Sequence, residues 1–176
     1  MWLPILRNLL RFFRLAEIMI KILAITKEHR PWARELLIEN WGSARMVTRG
    51  KVHQADALPG LVAVMGERPV GLLTYALENG ECEIVSLDSL VEGQGIGSAL
   101  VREAVSIARS HGCLRIWLIT TNDNTRALRF YQRLGMVIVA VYPNAVAESR
   151  KLKPEIPEIG MDGIPLRDEI ELEMRL

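Results

Sequence analysis

Residues 89–101 read SLVEGQGIGSALV, with Gly93, Gly95 and Gly97 packed between an apolar, strand-like run and a long amphipathic one. Glycine gives up more backbone freedom on folding than any other residue, so three of them at a helix start imply that something must come close to that backbone. A helix N-terminus presents unpaired N–H groups and the positive end of its dipole, and glycines let an anion reach them with no Cβ in the way. The favoured ligand is a phosphate or pyrophosphate. A tight turn with no ligand is the bland alternative, and the flanking elements decide between them.

Upstream, LVAVMGERPVGLLTYALENGECEIVSL (61–87) holds three strand runs. They are punctuated by Glu67-Arg68-Pro69 and by Asn79-Gly80, a tight-hairpin signal, which predicts an antiparallel meander. Before it, IKILAI (20–25) is β-like and Thr26 can cap the helix after it, in which Trp32, Leu36 and Leu37 make one face and which ends near Asn40 to Gly42. Downstream, Ile96, Leu100, Ala104, Ile107 and Ala108 recur at helical spacing until His111-Gly112, and CLRIWLIT (113–120) is a buried strand. NTRALRFYQRLG (124–135) is a second helix stopped by Gly135, MVIVAVY (136–142) a further strand, and EIELEMRL (169–176) alternates strictly with Ile170, Leu172, Met174 and Leu176 on one face. Four prolines and two glycines between 143 and 167 predict an irregular loop, and loops of that length are usually functional or mobile.

The chain has 176 residues, 49% apolar and 24% charged, with net charge +1. One core fits that length, and 19–176 reads as a single domain. Near-neutrality argues against nucleic acid as a partner. Cys82 and Cys113 lack a CxxC spacing and His29, His53 and His111 stand singly, so no metal site is expected. Two buried free thiols suit a reducing cytoplasm, the expected location. Residues 1–18 are the compositional exception: apolar residues surround a basic stripe of Arg7, Arg11 and Arg14. Either this is a dispensable extension, with translation beginning at Met19, or it is an amphipathic helix that docks on a partner or a membrane surface.

Two phosphate-binding motifs compete for the glycines. A Rossmann unit needs an acid about twenty residues on, and Asp123 is available, but Ser98 stands where the third glycine belongs and an antiparallel meander precedes the unit. A P-loop is excluded because no Lys-Ser or Lys-Thr comes after the glycines. EGQGIGSAL joined to NTRALRFYQRLGM some thirty residues later closely resembles the paired motifs of the GNAT superfamily of acetyl-CoA-dependent N-acetyltransferases. The resemblance implies an α/β (α+β) GNAT fold: a mixed, mostly antiparallel sheet of about seven strands, splayed at the cofactor site and flanked by helices. It implies acetyl-CoA as co-substrate, with its pyrophosphate on the backbone amides around Gly93, Gln94, Gly95, Gly97 and Ser98, and its pantetheine arm running beside Leu87 to Ser89. Asn124 matches the position that contacts pantetheine or assists at the thioester, and it is also a natural N-cap. Glu92 stands where the family carries Arg or Gln; a carboxylate there repels a pyrophosphate, so its side chain should point to solvent while Gln94 supplies a polar contact.

Amide formation needs a neutral amine, a stabilised oxyanion and a protonated leaving thiol. By the same resemblance Tyr131, in FYQRLG, is the acid that reprotonates sulfur, and a carboxylate on the strand ahead of the glycines serves as base, directly or through water, against the alternative of an ordered water or another group. Glu81 and Glu83 share one face there, and Glu83 lies nearer the splay. The expected activity is direct acetyl transfer to a primary amine of a small molecule or protein, against the alternative of a non-catalytic acetyl-CoA-sensing or partner-binding module. Trp41 to His53 and the 143–167 segment should bound the acceptor pocket. The acceptor itself and homodimer formation are left open by the sequence.

Overall fold

The computed structural model describes residues 19–176, and the 1–18 extension lies outside the described residues. Apolar runs punctuated by turns give β1 (Ile20–Ala24), β2 (Arg45–Thr48), β3 (Lys51–Gln54), β4 (Gly60–Met65), β5 (Arg68–Glu78), β6 (Glu81–Ser89), β7 (Arg115–Thr121), β8 (Val137–Tyr142) and β9 (Glu169–Arg175). Helices α1 (Arg30–Trp41), α2 (Ile96–Ser110), α3 (Thr125–Arg133) and α4 (Ala145–Leu152) intervene. Seven strands form one sheet in the order β1-β4-β5-β6-β7-β9-β8, and β2 with β3 makes a separate hairpin. Every pairing in the large sheet is antiparallel except β6 with β7.

Strand alternation sends neighbouring residues to opposite faces, and a helix covers each face. On one side Leu61, Ala63, Leu73, Ile84, Ile116, Leu118 and Leu172 pack with Ile96, Leu100, Ala104 and Ala108 of α2. On the other, Val62, Val64 and Leu72 meet Ala33, Leu36 and Leu37 of α1, together with Met46 of the small hairpin. A single β6 residue, Val85, is bulged out of register with β5. Ile84 and Leu87, three apart, therefore join the same cluster, which strict alternation forbids.

Two local readings are corrected. The 143–167 segment is not irregular throughout: it contains α4 and a short 3-10 turn at Met161–Gly163. Its prolines fall outside residues 145–152, so nothing breaks the helix, and the Asn144 N–H is fixed by Asp168 Oδ1 at 2.9 Å. Thr26 does not cap α1, since its hydroxyl bonds Glu28 and His29, and the helix begins four residues later with Pro31 in its first turn. The β2–β3 hairpin turns at Arg49-Gly50, both with positive φ, a pair that lacks the Asn-Gly signature.

Helix α2 lies close on β5 at Gly71, where a Cβ would fall 2.6 Å from Ile96 Cγ2 and 3.1 Å from the Asp88 carbonyl oxygen. Gly71→Ala is therefore expected to lower unfolding free energy by about 1–3 kcal/mol, measured by chemical denaturation. An unchanged midpoint would show that α2 can shift without cost.

Candidate active site

The parallel pair β6–β7 bonds only from Glu81 with Arg115 to Ile84 with Leu118. Beyond that point β6 stays bonded to β5 as far as Ser89, while β7 runs along β9 as far as Thr121. The strands part into a V, and the β6 backbone from Val85 onward has no strand on its β7 side. Backbone N–H and C=O groups in such a cleft need partners, and an extended ligand lying alongside can supply them. Leu87 is half-buried against the core there, and the Ser89 hydroxyl donates to the Val91 carbonyl at 3.2 Å.

The glycine loop lies at the end of β6. Gly93 and Gly95 have φ of 73° and 72°, a conformation that L side chains rarely adopt, and an added Cβ at either would meet nothing within 4 Å. Both glycines thus face open space. Gly95 is the N-cap of α2, and the first intrahelical bond runs from the Ala99 N–H to its carbonyl at 2.9 Å, so the amides of Ile96, Gly97 and Ser98 stand ahead of it. Gly97 has a different reason to be glycine: a Cβ would lie 3.2 Å from Phe130 Cζ, where α2 passes α3. Glu92 and Gln94 are exposed. This loop fits a pyrophosphate, with the Glu92 carboxylate outside the helix.

Asn124 caps α3, its Oδ1 accepting from the Ala127 N–H at 3.0 Å. Further along the helix, the Tyr131 hydroxyl makes no hydrogen bond among the described residues, and its ring packs edge-on against Phe130 at 5.0 Å. Burial, helped by the negative charge of Asp88, pushes the Tyr131 phenol well above its ordinary value, so it stays protonated. Asp88 itself is buried, its Oδ1 accepting from Asn40 Nδ2 at 2.8 Å and Trp41 Nε1 at 3.0 Å, and burial pushes its carboxyl up against the pull of those donors.

Glu83 is 5% exposed and is not solitary. Its Oε1 accepts from the Thr48 hydroxyl at 2.6 Å, its Oε2 lies 3.3 Å from His53 Nε2, and Thr48 Oγ1 lies 3.2 Å from the same ring nitrogen. Glu81 is drawn away to Arg115 at 2.9 Å. Thr48 joins two cavities. The smaller, of about 270 Å³, is lined by Glu83, Thr48 and Trp117 among others. The larger, of about 620 Å³, opens where β6 and β7 part and is walled by Val85, Ile119, Asn124, Trp41 and the 143–167 segment. Glu169, also on its wall, accepts from Ser149 Oγ at 2.5 Å and from the Arg49 N–H at 3.0 Å.

Sequence reading gave no individual role to Thr48, His53, Asp88 or Glu169, although Thr48 and His53 fall within the 41–53 stretch expected to bound the acceptor pocket. The hairpin carrying Thr48 and His53 had no signature, and Asp88 and Glu169 sit in strands where an acid ordinarily marks a wet face. Among the described residues, no three His, Cys, Asp or Glu gather into a set that could hold a metal ion.

Comparison with known proteins agrees with this architecture. The acetyltransferase (GNAT) family profile matches residues 21–136. The uncharacterized Bacillus subtilis protein YdhI is 45% identical over 138 residues, 77% of this chain and 86% of that protein. Among solved structures, an IAA acetyltransferase from Bacillus cereus superposes with TM-score 0.71 at 25% identity, covering 90% of this chain and 100% of that one. A GNAT family acetyltransferase from Elizabethkingia anophelis with acetyl-CoA bound gives TM-score 0.67 at 21% identity, over 89% and 98%.

Asp88 carries a pH signature. Its folded carboxyl ionises less readily than an unfolded one, so its contribution to stability is present at low pH and is lost as pH rises through the raised value. An asparagine can keep both hydrogen bonds on Oδ1 without the charge. Asp88→Asn is expected to unfold at higher urea than wild type at pH 7, with the gap closing toward pH 4; a gap that widens on acidification would reverse this assignment.

Proposed function

We propose that this chain, which belongs to the acetyltransferase (GNAT) family, moves the acetyl group of acetyl-CoA directly onto a primary amine of a small molecule or protein in a ternary complex. The parting of β6 from β7 beside the open, left-handed Gly93–Gly95 loop carries this reading, because together they offer a backbone edge and an anion cradle in line. In the bound state acetyl-CoA supplies the activated thioester. The Gly95–Ser98 amides hold its pyrophosphate and the free edge of β6 from Leu87 to Ser89 holds its arm, while Asn124 lies on the cavity wall close to the splay.

Glu83 removes the acceptor's proton, with Thr48 as the contact between its carboxylate and the larger cavity and His53 steadying the pair. Tyr131, held protonated by burial and Asp88, gives its proton to the departing sulfur. An acyl-enzyme route has little support: Cys82 is buried and burial pushes its thiol up to about 12, which leaves little thiolate to attack. Buried free thiols suit a reducing cytoplasm, and no helix among the described residues is long and apolar enough to cross a membrane.

Incubation with acetyl-CoA and a panel of amines should release free thiol with at least one acceptor. CoA binding without thiol from any amine would leave a sensing module instead. Tyr131→Phe is expected to cut kcat by about 10²-fold or more at unchanged acetyl-CoA affinity. Because its phenol is held up, wild-type activity should show no loss through Tyr131 ionisation below about pH 10. A Phe variant that turns over at the wild-type rate removes Tyr131 from the chemistry.

Glu92→Arg replaces a repelling charge at the mouth of the anion cradle with an attracting one. It should tighten CoA binding by roughly two- to fivefold, as an exposed charge contact allows, and the gain should fade with added salt. Calorimetric titration at two salt concentrations checks this, and equal affinity for both proteins would leave binding to the amides alone.

A further inference from the structure

Lys153, at the end of α4, is 4% exposed, lines the larger cavity and forms no ion pair among the described residues. Among the described residues, the one hydrogen-bond contact of its ammonium is with the Met46 sulfur at 3.8 Å. Lysine is almost never fully buried without a partner, because removing a cation from water costs several kcal/mol.

The acids on the same wall are all engaged. Asp123 accepts from the Thr121 hydroxyl and the Met161 N–H, Glu155 pairs with Arg45 at 3.3 Å, and Glu169 is held by Ser149 and the Arg49 amide. Asp123 and Glu169 keep their charge among neutral donors, whereas Lys153 is the one cation among the lining residues and has no carboxylate paired with it among the described residues. The rest of the lining is largely apolar, with Trp41, Val85, Ile119, Ile156 and Met161, and its volume of about 620 Å³ suits a small molecule.

We propose that Lys153 recognises a carboxylate on the acceptor, so that the amine this site takes is one whose apolar body also bears a carboxylate, as in an apolar amino acid. The inference rests on the acetyl-transfer reading for the direction of chemistry but not for the binding itself. Burial lowers the proton affinity of Lys153 while Glu155 raises it, and an anion bound beside the ammonium would add to the second effect.

Matched amines with and without a carboxylate test it: phenylalanine against phenethylamine, leucine against isoamylamine, tryptophan against tryptamine. Binding is titrated calorimetrically in the presence of CoA, and thiol release is monitored separately with acetyl-CoA. Wild type should bind at least one carboxylated member about tenfold tighter than its partner, Lys153→Met should abolish that preference, and Lys153→Arg should keep part of it. Thermal unfolding of each variant with CoA checks that the fold is retained.

Equal binding within every pair, or a preference that survives Lys153→Met, overturns the inference. Thiol release from carboxylate-free amines under either of those results leaves the transfer reading standing. A carboxylate preference lost in Lys153→Met supports the inference even if no amine releases thiol, in which case it is the transfer reading that falls.

Discussion

Two parallel strands that stop bonding after four residue pairs define this molecule. Parallel strands buried between helices ordinarily pair along their length, since an open edge inside a protein leaves backbone groups without partners. Here β6 and β7 are each held on their outer sides, by β5 to Ser89 and by β9 to Thr121, so neither can swing across to close the V. The bulge at Val85 falls one residue after the last β6–β7 pair. It reverses which β6 side chains face α1 and α2 at the level where the strands separate. The same strand thus offers Glu83 to the Thr48–His53 hairpin and Asp88 to Asn40 and Trp41 of α1.

Charge is arranged around this opening with little left over. Arg115 gathers Glu81, Glu171 and Glu173 at 2.6 to 2.9 Å, tying β6, β7 and β9 together at the closed end of the V. Three carboxylates around one guanidinium would repel one another if the arginine were lost, so this cluster favours the closed end staying closed. At the open end, Asp88 is buried with neutral donors only, and its charge raises the energy of ionising Tyr131. Salt bridges therefore hold the sheet where it is paired, while neutral hydrogen bonds leave unneutralised charge where it parts.

The sheet and its two main helices were legible in the sequence because their signals are local. Alternation in 169–176, the Asn79-Gly80 turn and the helical spacing after Gly95 each act within a few residues, and the strict order of elements leaves few ways to pair them. The glycine loop was legible for the same reason. What the sequence hid depends on distant contacts: Thr48 and Glu83 are 35 residues apart, and Met46 and Lys153 are 107 apart. Nothing in the local pattern of a four-residue strand or a proline-bearing segment announces such a partner. The helix inside 143–167 was obscured differently, since counting prolines over the whole segment concealed that residues 145–152 contain none.

That segment is tied to the chemistry-bearing part of the fold at a few points rather than packed against it throughout. Asp123, next to the α3 cap, accepts from the Met161 N–H at 2.8 Å, and a Cβ on Gly160 would lie 2.0 Å from the same carboxylate oxygen, so only glycine lets the chain pass so close. Asn122 grips the far side through the Arg167 and Asp168 N–H groups at 2.9 Å. Ahead of those ties the chain from α4 to Ile159 supplies cavity wall without contributing strands to the sheet. A cavity built this way takes part of its wall from β6, β7 and β9 and part from a segment outside the sheet, and Lys153, which forms no ion pair among the described residues, belongs to the second part.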